Sequence, residues 1–528
     1  MTLAETKIPN GAADDKDDGR LTQYKNLSKH EELRRRRTEC SVEIRKQKGA
    51  DMMMKRRNVV EVDEEEYNSE SELEEPSKAA STRYTHEEIK QILSNNPSEE
   101  EMVKCFESLR KSLSKTKNPP IDDVIRCGLL NALVQALSVP NDRVLYESAW
   151  ALTNIVSGST EQTIAAVEAG ATAPLIQLSV NSNFQIAEQA LWAVANIAGD
   201  SAQLRDYVIK CHGVEALMHL MERVDDLEVS HVRTIAWAFS NMCRHKNPHA
   251  SLEVLRVLSK GLFKLVQHPD RQVRQDACWA VSYLTDGPDE QIELARECGV
   301  LPHIVAFFKE AENLVAPALR TLGNVATGND SLTQEVINLG ALSEILPLME
   351  KTRSTSIVKE CCWLVSNIIA GTQKQIQAVL DAGLLPVIVN VLKSGDYKCQ
   401  FEASWALSNL AQGGTAKQIC AIVGDNAIPA LCQALLQTNQ DMLNNTLETL
   451  YTLLLTVQNS YSHKMDQVTD MVEECGGLDS LERLQESQSE QIYSQAYRII
   501  SQFFADDADQ PETPVAQENA APEKPWSF

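Results

Sequence analysis

The sequence predicts an all-α fold made of about ten short helical repeats, and two patterns in phase with each other support that prediction. A tryptophan followed one helical turn later by an asparagine recurs in SAWALTNI, ALWAVANI, IAWAFSNM, CCWLVSNI and ASWALSNL. A related segment, ACWAVSYL, keeps the tryptophan, and the successive tryptophans lie 42, 45, 42, 84 and 42 residues apart. A glycine opens an apolar helical segment in most copies, at Gly128, Gly170, Gly213, Gly299, Gly340, Gly383 and Gly477.

The length of this unit is typical of armadillo and HEAT repeats. Because a single unit of this size cannot bury its own apolar face, neighbouring units must stack to form one continuous core. The prediction is therefore a right-handed superhelical solenoid of about ten armadillo repeats over residues 86–505, with a flexible basic N-terminal arm. The interval of 84 residues is twice the usual length and contains one altered copy of the motif. In that copy Arg320 stands at the tryptophan position and Asn324 at the asparagine position.

Composition narrows the function classes. The 528 residues carry a formal net charge of −24, which argues against a general nucleic-acid binder and favours cationic partners. The 13 cysteines show no zinc-site spacing and are interpreted as reduced thiols, so neither a metal nor a cofactor is expected. No glycine-rich phosphate loop or nucleophile elbow indicates an enzyme. No apolar run approaches the roughly 20 residues that span a membrane, and no signal peptide is expected.

The pairing of tryptophan with asparagine suggests a peptide ligand. Residues four apart share one helix face, and a buried asparagine repeated in five copies would be costly without a polar partner. An asparagine amide can bond both the N–H and the C=O of an extended peptide. The tryptophans would then form slots for the stems of lysine or arginine. An isolated periodic tryptophan is more often a core residue, which is the alternative. Acids beside the motif would select cations: Glu147, Asp200, Asp276, Glu360 and Glu402.

Intact pairs fall into two groups, at residues 150–241 and 363–409, separated by the altered copies with Tyr283 and Arg320. An extended linker of about ten residues would bridge the two groups. The expected ligand therefore carries one or two basic clusters.

The N-terminal segment has the opposite charge to the array. Residues 20–57 contain 13 lysines or arginines against five acids. Within the arm, predicted at residues 1–60, a cationic helix holds RRRR and is followed by the short cluster Lys55, Arg56 and Arg57, which resembles the ligand expected above. An RNA-binding tail or a solvated arm are the alternatives. Residues 61–85 are predicted to be an acidic flexible linker and residues 506–528 an acidic disordered tail.

These motifs resemble the importin-α (karyopherin-α) family of nuclear import adaptors. The RRRR arm, KRRNV, SAWALTNI, SYLTDGP and ECGGLD carry the resemblance over about residues 20–500. It implies a non-enzymatic adaptor that binds basic nuclear localisation signals of cargo proteins, links them to importin-β and shuttles between cytoplasm and nucleus. It also implies an export receptor of the CAS type and a peptide that runs antiparallel to the repeats. Neither direct nucleic-acid binding nor membrane insertion is implied.

Matching positions imply three sets of functional residues. The major signal-binding site would comprise Trp150, Asn154, Gly158, Thr163, Trp192, Asn196, Asp200, Trp237, Asn241 and Asp276. The minor site would comprise Arg320, Glu360, Trp363, Asn367, Glu402, Trp405 and Asn409. The importin-β-binding and autoinhibitory residues would be Arg34, Arg35, Arg36, Arg37, Lys55, Arg56 and Arg57.

Other armadillo proteins remain as alternatives. A scaffold or signalling adaptor that binds other extended peptides, such as a catenin-like protein, would share the repeats. It would line its groove with basic residues for acidic partners, whereas the acids beside this tryptophan ladder favour cationic ligands. A repeat-type RNA binder would need a basic face, which the net charge disfavours.

Overall fold

The structure is a computed structural model that describes residues 55–56, 84–424 and 427–504. Several predictions fall outside these ranges: the cationic helix with Arg34, Arg35, Arg36 and Arg37, the third cluster residue Arg57, the acidic linker up to residue 83 and the acidic tail. Within the described residues the regular structure is helical throughout, and no β-strand is present.

The chain divides into two compact units, residues 1–371 and 372–528. In the first unit the described helices are α1 (His86–Ser94), α2 (Glu99–Leu113), α3 (Ile121–Arg126), α4 (Leu129–Ala136), α5 (Asp142–Val156), α6 (Thr160–Glu168), α7 (Thr172–Leu178), α8 (Phe184–Asp200), α9 (Ala202–Lys210), α10 (Gly213–Glu222), α11 (Val229–Arg244), α12 (Leu252–Leu265), α13 (Arg271–Leu284), α14 (Asp289–Glu297), α15 (Leu301–Ala306), α16 (Glu312–Val325), α17 (Asp330–Asn338), α18 (Ala341–Lys351) and α19 (Thr355–Ile369).

Most repeats consist of two shorter helices followed by one longer helix that bears the tryptophan–asparagine motif. In the first unit each long helix packs against the long helix of the next repeat: α2 on α5, α5 on α8, α8 on α11, α11 on α13, α13 on α16 and α16 on α19. The motif residues of successive repeats are therefore neighbours on adjacent helices.

Local sequence sets where the helices begin. Ser159 and Gln162 form a capping box at the start of α6, with each side chain bonded to the backbone of the other residue. Glycines with positive φ precede several of the middle helices of the repeats, for example Gly128 before α4 and Gly340 before α18. A left-handed residue ends one helix and turns the chain into the next.

Two members of the glycine series occupy a different place in the turn. Before α10 the left-handed residue is His212, with φ 68°, and Gly213 is the first residue of the helix. Before the helix that starts at Gly477, the left-handed residue is Gly476. A Cβ atom on Gly213 would lie 2.5 Å from Val208 Cγ1, so close packing rather than positive φ requires glycine at this position.

The second unit repeats the same plan. Its helices are α20 (Gln373–Asp381), α21 (Leu385–Ser394), α22 (Tyr397–Gly413), α23 (Ala416–Gly424), α24 (Ile428–Ala434), α25 (Gln440–Ser460), α26 (Met465–Glu474), α27 (Gly477–Leu484) and α28 (Glu490–Phe503). The long helices again stack, α22 on α25 and α25 on α28. No described helix alone is long and apolar enough to cross a membrane, although α20 and α21, bent by 80°, meet the length and composition criteria as a pair.

Candidate functional site

Lys55 lies against the long-helix face of the first repeats. Its ammonium group donates hydrogen bonds to the Gly158 carbonyl at 2.9 Å and to the Thr163 hydroxyl at 2.6 Å, and it forms an ion pair with Asp200. The Asp200 side chain is only 2% exposed. A buried carboxylate and two neutral oxygens surround one ammonium group, so the pocket is complementary in charge and hydrogen bonding to a lysine side chain.

The backbone of Arg56 is held by the motif residues of α8. The Asn196 side chain accepts a hydrogen bond from the Arg56 N–H at 2.9 Å and donates one to the Arg56 carbonyl at 3.0 Å. The indole N–H of Trp192 donates to the same carbonyl at 2.7 Å. These bonds involve only the backbone of Arg56, so they do not depend on which side chain the bound residue carries.

The side chain of Arg56 reaches the next two long helices. Its Nη2 atom lies 3.0 Å from Asp276 Oδ1 on α13, and its guanidinium carbon lies 4.7 Å from the ring centre of Trp237 on α11. Burial raises the pKa of Asp276 above its usual range, an effect that the charge of Arg56 partly opposes. The site thus places an ion pair and a cation–π contact around one arginine.

Seven of the ten residues predicted for the major site make the contacts just described with Lys55 or Arg56. The remaining three are Trp150, Asn154 and Asn241. Trp150 packs against the guanidinium group of Arg110, 4.4 Å from the ring centre, and Asn154 donates to the Ser114 hydroxyl at 3.0 Å.

The repeated asparagines have a structural role that the sequence argument missed. Four of the amide groups donate to a backbone carbonyl of the preceding long helix: Asn196 to Thr153, Asn241 to Ala195, Asn324 to Ser282 and Asn367 to Gly323. The amide nitrogens are therefore satisfied without a ligand, which corrects the expectation that a ligand must satisfy them. Only Asn196 also bonds the backbone of Arg56.

Two of the acids expected to select cations are paired with cations of the repeats themselves. Glu147 bonds Arg110 Nε at 2.7 Å. Glu360, which is 4% exposed at its side chain, receives both Nε and Nη2 of Arg320, at 3.1 and 3.0 Å, and also pairs with Lys359. These internal pairs weaken the expectation that every acid beside a tryptophan selects a cationic ligand.

The predicted minor-site residues are distributed over both units. Trp363 and Asn367 lie buried on α19 in the first unit. Glu402, Trp405 and Asn409 lie on α22 in the second unit, where the Trp405 ring contacts Phe401 edge-on, with the ring centres 6.5 Å apart.

Sequence reasoning missed residues that lie outside the motif. The carbonyl of Ser159 is 3.5 Å from Lys55 Nζ, and Gln272 donates to Asp276 Oδ2 at 3.2 Å. The capping-box sequence that begins at Ser159 marks the turn before α6, and this motif could have pointed to the backbone of Ser159 as part of the pocket. Arg110 carries no such signal, because its contact with Trp150 depends on how two repeats stack.

Comparison with known protein families matches three family models to parts of the chain. A family model described as the importin beta binding domain matches residues 20–104. Armadillo/beta-catenin-like repeats match residues 117–157, 159–199, 201–244, 329–370 and 372–412, and an atypical armadillo repeat matches residues 466–523.

Known relatives match over the whole length. Importin subunit alpha-2 of Caenorhabditis elegans is 81% identical over 535 residues, covering 100% of both chains. The chain belongs to the importin-α family. A more distant member, importin subunit alpha-1a of Oryza sativa subsp. japonica, is 34% identical, with coverage of 96% of this chain and 95% of the relative.

Membership of the importin-α family makes the protein a nuclear import adaptor with an importin-β-binding segment and an array of armadillo repeats. The predicted all-α armadillo fold is confirmed. A crystal structure of an engineered protein shares the fold, with a TM-score of 0.69 at 23% identity, and covers 78% of this chain and 98% of that one.

Proposed function

We propose that the face around Trp192, Asn196, Asp200, Trp237 and Asp276 binds the basic nuclear localisation signals of cargo proteins, and that Lys55 and Arg56 occupy it as an internal competitor. The contacts of Lys55 and Arg56 support this proposal most directly. Lys55 pairs with Asp200, Arg56 pairs with Asp276, and the Arg56 backbone is hydrogen-bonded in a way that does not depend on sequence. A cargo segment with adjacent lysine and arginine would use the same atoms.

Unused polar atoms on this face fit a ligand longer than two residues. Among the described residues, Trp237 Nε1 and Asn241 Oδ1 are buried without a hydrogen-bond partner. The equivalent atoms one repeat earlier, on Trp192 and Asn196, bond the backbone of Arg56. A cargo peptide that continues along the repeats would satisfy the second pair in the same way.

The chain segment that links Lys55 and Arg56 to the array makes these two residues effective competitors of cargo. About 27 residues separate Arg56 from the first described residue of the array, Tyr84, and a tether of this length gives an effective concentration near the millimolar range. Cargo must therefore compete with the arm until importin-β captures it. Since importin-β and cargo each favour the state with an empty face, their binding is cooperative.

Other assignments belong to the same proposal. The arm would occupy residues 1–60, the acidic linker 61–85, the array 86–505 and the tail 506–528, and Arg34, Arg35, Arg36, Arg37 and Arg57 would contribute to the arm's interactions. A minor signal-binding site would use Arg320, Glu360, Trp363, Asn367, Glu402, Trp405 and Asn409. Return of the adaptor to the cytoplasm would use an export receptor of the CAS type, and the protein would shuttle without catalysing a reaction.

Fluorescence anisotropy with a labelled lysine- and arginine-rich peptide tests the proposal. The full-length Lys55→Ala, Arg56→Ala variant is expected to bind the peptide at least about tenfold more tightly than the intact chain, because the competitor is lost. A peptide in which every cation is replaced by glutamine should bind neither protein. Equal affinity of the two proteins for the basic peptide would refute autoinhibition.

A matched variant controls for the loss of two positive charges. Arg256 and Lys264 on α12 form exposed ion pairs, with Glu297 at 2.8 Å and with Asp225 at 2.6 Å. The variant with both residues changed to alanine removes the same charge without touching the proposed face. Its peptide affinity should equal that of the intact chain.

A further inference from the structure

The last described helix, α28, has two apolar faces. Ile492, Ala496 and Ile499 are buried against the rest of the second unit. A second set of apolar residues with helical spacing lies outside that core: Tyr493, Tyr497, Ile500 and Phe504, here called the terminal stripe. A helix at the end of an array needs only one apolar face.

The terminal stripe is most exposed to solvent in its N-terminal half. Tyr493 and Tyr497 are 43% and 51% exposed, and their rings stack with centres 6.2 Å apart. Ile500 and Phe504 are partly exposed. Terminal repeats of such arrays normally present a polar outer face, because no further repeat covers them. The aromatic character of the stripe therefore calls for a covering segment.

The chain itself supplies a candidate directly after the stripe. Residues 505–528 lie outside the described residues, and they contain three large apolar side chains, Val515, Trp526 and Phe528. Trp526 is also the only one of the seven tryptophans that does not belong to the repeat motif. The match to an atypical armadillo repeat covers residues 466–523, so it includes most of this segment and ends three residues before Trp526.

The covalent link makes this occupant favourable. The 21 residues between Phe504 and Trp526 can span up to about 70 Å, whereas the terminal stripe is roughly 16 Å long. A second copy of the protein would have to supply the same contacts from solution. Tethering raises the local concentration of Trp526 far above that of a free partner at ordinary protein concentrations.

We propose that Trp526 and Phe528 pack on the terminal stripe and so cover the exposed apolar residues of the last described helix. The contact is apolar. Residues 505–528 carry six acids and one lysine, but the two charged residues nearest the aromatic pair, Glu523 and Lys524, cancel. Raising the ionic strength should therefore leave the contact intact, unlike a contact between surface charges.

Fluorine NMR of the full-length protein labelled with 5-fluorotryptophan tests the docking. The Trp526 signal is assigned with Trp526→Phe. In the intact protein it should be shifted and broadened relative to a synthetic peptide of residues 505–528. In Tyr493→Ser, Tyr497→Ser it should move to the position in the free peptide. Tyr397→Ser, which removes a tyrosine of 45% exposure on α22, is the matched control and should leave the signal unchanged.

A second measurement uses the tail in trans. Protein that ends at residue 504 should bind the synthetic tail peptide, whereas the intact chain should bind it at least about tenfold more weakly because its own tail occupies the stripe. The proposal is overturned if Trp526 has the same signal in the intact protein and in the tyrosine variant. It is also overturned if sedimentation shows that the stripe variant changes the oligomeric state while the Trp526 signal stays at the free-peptide position, since a second copy would then cover the stripe. Neither measurement depends on the proposed binding of cargo.

Discussion

Arg56 and Asp276 pair across 220 residues of chain, with Arg56 Nη2 3.0 Å from Asp276 Oδ1 and the Asp276 side chain fully buried. Burial raises the pKa of Asp276, and a bound guanidinium group acts in the opposite direction. Arginine binding and ionisation of this carboxyl are therefore linked, and each favours the other.

The first prediction is that acidification weakens the binding of arginine-containing peptides. The pKa of Asp276 is raised even with Arg56 bound, and the Lys55→Ala, Arg56→Ala protein lacks the guanidinium group that opposes this rise. Because bound arginine lowers that pKa, binding releases a proton once the empty site is protonated. The affinity for arginine peptides should be full at pH values above the pKa of Asp276 in the empty site. It should decrease as the pH drops below that pKa, by at most about tenfold per pH unit.

Isothermal titration calorimetry at a series of pH values from neutral pH downward measures this dependence. The same variant with Asp276→Asn should bind arginine peptides more weakly at neutral pH and lose this part of the pH dependence. An identical pH profile with and without Asp276→Asn would contradict the linkage.

The second prediction concerns the lysine pocket. Asp200→Asn keeps the shape of the side chain and removes the charge that pairs with Lys55. In the Lys55→Ala, Arg56→Ala background it should weaken a basic peptide by about 2 kcal/mol or more, since truncating one partner of a buried charge pair has an effect of that size.

Anisotropy titration measures the loss, with Asp226→Asn as a control of equal charge change. Asp226 is an exposed acid of the 3-10 helix Val224–Asp226, and none of the contacts of Lys55 or Arg56 involves it. If Asp200→Asn and Asp226→Asn reduced affinity equally, a general charge effect would replace the pocket as the explanation.

Periodicity explains how much of the molecule was predictable. A motif repeated every 42 residues or so fixes the helical unit, the face that carries Trp192 and Asn196, and the stacking of equivalent helices. Because equivalent positions on stacked helices become neighbours, Trp192 and Trp237 could be assigned to one surface from the sequence, and their ring centres lie 6.2 Å apart. Asp200 and Asp276 do not occupy equivalent positions in their repeats, and only the family resemblance placed them in one site.

Pairings between repeats were not predictable. Arg110 and Glu147 are 37 residues apart, and Arg320 and Glu360 are 40 residues apart. Whether such an acid meets a ligand or a neighbouring cation depends on side-chain directions across a helix interface, which composition and spacing do not encode. The same limit applies to the amides of Asn196, Asn241, Asn324 and Asn367, whose partners are backbone carbonyls of the preceding repeat.

The third prediction follows from the Arg320–Glu360 pair. Glu360→Gln should leave the Arg320 guanidinium group without its bidentate carboxylate and lower the free energy of unfolding by about 1–3 kcal/mol. Restoring balance with Arg320→Gln, Glu360→Gln should recover part of that loss. Urea unfolding followed by circular dichroism provides the measurement.

An exposed pair serves as the comparison. Arg126 and Asp123 lie 2.9 Å apart with side chains 75% and 56% exposed, so Asp123→Asn should change stability by less than about 1 kcal/mol. A loss for Glu360→Gln no larger than that for Asp123→Asn would show that Glu360 is not bound to its internal partners in solution.

The last prediction concerns the approach of α16 to α19. Asn367 Nδ2 donates to the Gly323 carbonyl at 2.9 Å, and a Cβ atom on Gly323 would lie only 1.8 Å from Cζ3 of the Trp363 ring. Trp363 is 2% exposed and has little room to withdraw. Alanine favours a helix interior over glycine by about 1 kcal/mol, but here the collision should dominate, and Gly323→Ala should destabilise the protein by about 1–3 kcal/mol.

Gly424→Ala is the matched control, because no atom lies within 4 Å of its added Cβ. It should leave the urea midpoint nearly unchanged, whereas Gly323→Ala should lower it and alter the near-ultraviolet dichroism of the tryptophans. The steric cause can be isolated with Trp363→Phe, whose smaller ring makes room for the methyl group. If the collision is the cause, Gly323→Ala should cost less in the Trp363→Phe background than in the native one, a coupling that a double-mutant cycle measures. Equal costs in both backgrounds would locate the effect of Gly323→Ala elsewhere than at the contact with Trp363.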